Sequence, residues 1–167
     1  MKLKSPHILP ASSNTRKMLE NIRHLLDQKA CDAIQDEIDK NVKALFDLGL
    51  EHFNFAKQTP SQYWRQRISR LYYGAYNVRR ALQLHYSGEY STDVSDHKKI
   101  YDMPDDLPNN STYKRRLVDI REDRNLADYD HSASESDLTL TQDEAEKIVT
   151  DFIADVRTFL MNRGISL

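Results

Sequence analysis

The chain reads as all-α: an up-and-down bundle of four to five core helices with one extra N-terminal helix. Three observations predict it. Only 4 Gly and 5 Pro interrupt 167 residues, so helix breakers are scarce. Apolar residues recur at spacings of three and four along much of the chain. No strand hairpin or internal repeat is legible, and Asp137 to Leu140 is too short an extended run to change the class.

Taken in order, residues 1–15 form a flexible arm carrying two prolines and a small polar cluster, and residues 16–167 form one helical domain. The first helix is expected from Arg16 to about Ala30, with Met18, Leu19, Ile22, Leu25 and Leu26 on one face. A second, either separate or continuous with it, runs from about Ile34 to Lys57 along Ile38, Val42, Leu45, Gly49 and Phe53, and Pro60 limits it. The third, from about Ser61 to Tyr86, is the clearest. Trp64, Ile68, Leu71, Ala75, Val78 and Leu82 alternate steps of four and three, which keeps one seam against a neighbour. Residues 87–111 read as a long connection with a short helical piece near His97 to Tyr101. The fourth helix begins at Ser111 or Thr112 and runs to about His131, followed by a Ser/Asp-rich loop over 132–137. The last opens on the capping box Thr141-Gln142-Asp143-Glu144, buries Ala145, Ile148, Val149, Phe152, Val156, Phe159 and Leu160, and stops near Gly164.

Composition narrows the function classes. Hydrophobic residues at 39% and charged residues at 30% are ordinary for a globular domain of a size that buries a real core. A net charge of −2 gives no global attraction to nucleic acid, so any RNA contact needs a local patch. The single cysteine, Cys31, excludes an intramolecular disulfide and reads as a buried, inert thiol. The N-terminus lacks the apolar stretch of a signal peptide, and no run suits a membrane span. A cytoplasmic protein is expected.

The fourth helix carries the candidate chemistry. Its stripe of Tyr113, Leu117 and Ile120 continues, in the same rhythm, to Arg124, Ala127 and His131. Seven residues turn a helix through roughly 700°, which places Arg124 and His131 within about 20° of each other. Asp128 follows Arg124 by four residues on the same side. An Arg and a His at apolar positions admit two explanations, because an unpaired buried charge is costly. In one, Arg124 pairs with Asp128 and His131 caps the terminal carbonyls. In the other, the stripe opens into a cleft where Arg124 grips a phosphate through two N–H groups and His131 moves protons near neutral pH.

Other signals are weaker. There is no Gly-rich phosphate loop, nucleophile elbow or zinc pattern, so neither cofactor nor metal is expected. The six histidines lack metal-ligand spacing, and His97 is expected in solvent within a polar loop. Arg65, Arg67, Arg70, Arg79 and Arg80 stud the third helix, and Lys114-Arg115-Arg116 opens the fourth. Arg70, Arg79, Arg80, Lys114 and Arg115 are the candidate RNA contacts. Tyr72, Tyr73 and Tyr76 either stack bases or fill the core.

The segment from Ser69 to Tyr76, followed by Arg79-Arg80-Ala81-Leu82, resembles the second core helix of HEPN domains. The stretch from Arg121 to His131 resembles their signature helix, an Arg followed by a polar residue and, after four to six intervening residues, a His. Here these are Arg124, Asn125 and His131. The resemblance spans roughly residues 38–163 and implies a homodimeric, metal-independent endoribonuclease or a derived RNA-binding relative. It implies that Arg124 holds the phosphate, His131 shuttles the proton and Asn125 positions them, with Asp128, Arg121 and Tyr129 in support. The RNA 2′-hydroxyl would then attack and leave a cyclic phosphate. Many relatives are toxins of toxin–antitoxin or phage-defence systems, often beside a nucleotidyltransferase antitoxin; others are non-catalytic adaptors. One departure stands out. Ala133 occupies the place of the tyrosine that relatives present for nucleotidylation, so control at that position is not expected.

Overall fold

The computed structural model describes residues 13–90 and 94–167. Five helices pack together as an all-α bundle: α1 (Thr15–Ile22), α2 (Gln28–Gln58), α3 (Trp64–Ser87), α4 (Asn110–Tyr129) and α5 (Gln142–Met161). Short 3-10 turns cover Arg23–Leu25, Ser61–Tyr63, Val94–Lys99 and Glu135–Asp137. The described residues contain no strand, and no helix among them is long and apolar enough to cross a membrane.

Helix α3 is the centre, with α2, α4 and α5 packed around it. Its seam is buried at Ile68, Leu71, Ala75, Val78 and Leu82 as the spacing predicts, with Trp64 half-buried at its start. α2 and α3 form an antiparallel hairpin, and two glycines let their backbones close in. A Cβ on Gly49 would stand 2.6 Å from Val78 Cγ2 and 2.8 Å from the Gly74 carbonyl oxygen. Both helices can approach this closely only because neither carries a side chain at the crossing. α3 ends as its sequence suggests, at Gly88 in the left-handed conformation with φ 73°. α5 opens on the expected Thr141–Glu144 capping box.

The first boundary differs from expectation. α1 stops at Ile22, and α2 begins at Gln28 rather than Ile34. Asp27 is the reason. Its carboxylate accepts the Ala30 N–H at 2.7 Å, an N-cap that starts a new helix inside the expected first one. Leu25 consequently leaves the buried stripe and stands 74% exposed. Residues 1–12 of the expected arm lie outside the described residues, but its last three are fixed. Asn14 caps α1 by accepting the Lys17 N–H, the Tyr90 N–H donates to the Ser13 carbonyl at 3.2 Å, and the Thr15 N–H donates to that of Gly88 at 2.7 Å. Cys31 is buried, as expected.

Candidate functional site

α4 keeps its apolar stripe through Tyr113, Leu117, Ile120 and Ala127, and Arg124 is buried within it, 8% exposed. The helix then ends at Tyr129, two residues short of His131. The stop is local chemistry. Asp130 turns extended, and its Oδ1 accepts from the Ser132 N–H at 2.9 Å and the Ser132 hydroxyl at 2.6 Å, a side-chain turn that competes with the helical ladder. Arg65 of α3 collects the carbonyls, donating to those of Ala127 at 2.8 Å, Asp130 at 2.7 Å and Ala133 at 2.6 Å. The expectation that Arg124 and His131 share one continuous helix face is therefore corrected. His131 is exposed beyond the helix end, and Arg65 binds the terminal carbonyls that the first of the two explanations assigned to it.

Arg124 is held by two hydrogen bonds and one ion pair. Its Nε lies 2.9 Å from Asp128 Oδ2, Nη1 donates to Asn125 Oδ1 at 3.0 Å, and Nη2 donates to the Tyr73 hydroxyl. The guanidinium carbon stands 5.2, 5.1 and 5.5 Å from the ring centres of Tyr72, Tyr73 and Tyr129. Burial works against its charge, but the Tyr73 bond and Asp128 outweigh burial and push its pKa up. A guanidinium has five N–H groups. Nη1 and Nη2 each spend one, on Asn125 and Tyr73, while Nε is buried without a hydrogen-bond partner despite its closeness to Asp128.

The imidazole brought to this cluster is His97, not His131. His97 stacks on Tyr76 with ring centres 4.2 Å apart, and its Nδ1 meets the Tyr72 hydroxyl at 2.7 Å. Burial first, and then the charge of Arg124, lower its pKa, against a raising pull from Asp96. Burial pushes the Tyr72 phenol well above its ordinary range, and burial with Asp96 raises Tyr76 to about 12, so both remain protonated. The expectation of a solvent-exposed His97 is thus corrected. Arg121 helps place it: Nη1 donates to the Lys98 carbonyl at 3.3 Å, while Nε and Nη2 bind Glu122. The sequence carried a faint signal in Tyr72 and Tyr76, one turn apart on α3, but contact across 21 residues of chain has no local signature.

The candidate RNA contacts do not assemble into one patch. Arg79 is 2% exposed, ion-paired with Asp96, which corrects its expected surface role. Tyr72 and Tyr76 are buried and stacked on each other, so they fill the core rather than offer faces to bases. Arg70 is exposed near the C-terminal end of α4, beside His52 and the Phe55 ring. Lys114, paired with Asp105, and Arg115 lie at the other end of α4. Thirteen residues of helix, about 20 Å, separate Arg115 from Asp128. Near Asp128 an open groove of about 370 Å³ runs between Phe55, Arg65, Arg70 and Ala127.

One further residue escaped sequence reasoning. Asp123 is 2% exposed and accepts the Thr139 N–H at 2.7 Å and the Leu140 N–H at 3.0 Å, fixing the approach to α5 from inside α4. Among the described residues no three His, Cys, Asp or Glu side chains converge as a metal site needs. Compared with known protein families, characterised proteins and solved structures, the chain matches none.

Proposed function

We propose that the chain is a homodimeric endoribonuclease of the HEPN kind, cleaving RNA without metal by attack of the 2′-hydroxyl on the adjacent phosphate. The observation that carries this reading is Arg124: a buried guanidinium near the end of α4, hydrogen-bonded to Tyr73 and Asn125 and ion-paired with Asp128. A guanidinium fixed in place lowers the barrier by stabilising charge that develops on the phosphate. His131, exposed past the end of α4, is the proton carrier, and it meets the RNA where two protomers bring their α4 ends together. A role as a toxin held by a nucleotidyltransferase belongs to the same proposal.

The test is cleavage of a labelled single-stranded RNA in EDTA, with the product ends analysed for cyclic phosphate. His131→Ala is expected to slow cleavage about 10²–10⁴-fold, the usual worth of a proton-transfer group. Cleavage by that variant at the wild-type rate would contradict the reading. A second reading, a non-catalytic module that binds RNA or a nucleotidyltransferase, draws support from the same helix end. Asp128 already balances Arg124, and α4 stops before His131. Wild-type protein that retains RNA in a filter without cutting it favours this second reading.

A further inference from the structure

Two aromatic side chains at the α2–α3 turn stand in the open. Phe55, in the last turn of α2, is 54% exposed, and Tyr63, just before α3, is 52% exposed. One exposed ring needs no explanation, but these two line a single cavity of about 420 Å³ with Gln58, Thr59, Pro60 and Gln66. No charged side chain among the described residues lines it. Phe55 and Gln66 also line the groove of about 370 Å³ that reaches Asp128, so the two spaces adjoin. Asp128 in turn is the ion-pair partner of Arg124.

The lining indicates what fits. The Arg70 guanidinium lies 5.5 Å from the Phe55 ring centre, and Arg70 is exposed, with Nη1 3.1 Å from His52 Nδ1. Arg65 lies 4.6 Å from the Trp64 ring centre and is fixed by its three carbonyls. These are the cations of the groove. Asp128, already paired with Arg124, is the one carboxylate among its described lining residues, and Glu51 near His52 and Asp130 near Arg65 flank it. Between the rings, Gln58 and Gln66 each offer an amide donor and acceptor. An uncharged slot with aromatic walls, beside a groove lined by guanidiniums, has the make-up that single-stranded nucleic acid needs. Bases stack on rings while phosphates meet the cations.

We propose that the cavity between Phe55 and Tyr63 is a base-stacking subsite for single-stranded RNA, whose backbone runs along the Arg65–Arg70 groove towards Arg124. The inference rests on RNA being the ligand, as proposed above, and not on its cleavage. The base must be unpaired to enter. Stacking accepts any base, since each has a π-face, and the two glutamine amides hydrogen-bond its edge.

Fluorescence anisotropy of the full chain tests it, with a labelled 2′-O-methyl oligonucleotide that cannot be cut and a backbone-matched oligomer lacking bases. Wild type is expected to bind the first more tightly than the second. Phe55→Ser and Tyr63→Ser, with unchanged circular dichroism, should each weaken the first about tenfold. They should leave the second, and the salt dependence, unchanged because phosphate contacts persist. Arg70→Ala should instead weaken both oligomers and flatten the salt dependence. The subsite is overturned if neither oligomer binds, if both ring variants bind the first like wild type, or if they lose both oligomers equally. It is equally overturned if sedimentation shows the ring variants turning a dimer into monomers, which makes this face an interface between copies. Wild-type protein that never cuts RNA, yet binds it through Phe55, removes the cleavage reading and keeps the subsite. Cleavage that depends on His131, with binding indifferent to both rings, does the reverse.

Discussion

At Arg124 the helix places a guanidinium where its stripe calls for an apolar group, and three rings with one carboxylate make that tolerable. The rhythm of α4 made the anomaly and its Asp128 partner legible in the sequence, because both lie on one element at helical spacing. His97 was not legible, since α3 supplies its partners from across the fold. Its environment has a consequence in solution. Arg124, Arg80, Asp96, Tyr72 and Tyr76 surround it, and burial holds its pKa below the ordinary 6.5. The unfolded chain therefore takes up this proton at higher pH than the folded one does. Stability from this group is present above about pH 6.5 and is lost as pH falls through the folded value. The urea midpoint should drop between about pH 7.5 and pH 5. His97→Phe, which keeps the stack on Tyr76, should flatten part of that slope, while His52 and His85, also lowered by burial, supply the rest. An unchanged slope in the variant would remove His97 from the account.

At the scale of elements, periodicity revealed which face of each helix is buried, but boundaries followed single side chains. Asp27 starts α2 early and Asp130 ends α4 early, each by binding a nearby backbone N–H. Both are acidic residues that helices also carry on their solvent faces, so sequence alone did not separate cap from surface. The end of α4 depends on Arg65, whose three carbonyl bonds no other residue replaces. Arg65→Ala should cost about 1–3 kcal/mol and speed amide exchange selectively in the last turn of α4, near Leu126 to Asp130. Uniform exchange across the molecule would contradict that local role. The α2–α3 crossing is a separate test. Gly49→Ala would drive a methyl group into Val78 and the Gly74 carbonyl, so a loss of about 1–3 kcal/mol is expected in chemical denaturation. A variant as stable as wild type would show that the helices part freely.

For the molecule as a whole, the near-neutral net charge means that attraction to RNA has to arise from placement rather than total. The helical class was legible from breaker scarcity and spacing together. The assembly of the site was not, because it depends on how α3 presents Tyr72 and Tyr73 to α4, and on where α4 stops. The proposed site draws on α3 through Tyr73, which bonds Arg124.

The most direct measurement is the rate of RNA cleavage in EDTA by Arg124→Lys protein, with its melting point recorded alongside. Lysine keeps the charge but not the paired donors, so a folded variant should cleave about a hundredfold more slowly than wild type. A folded Arg124→Lys protein that cleaves at the wild-type rate, or a wild-type protein that never cleaves, would contradict the assignment of this guanidinium to the phosphate.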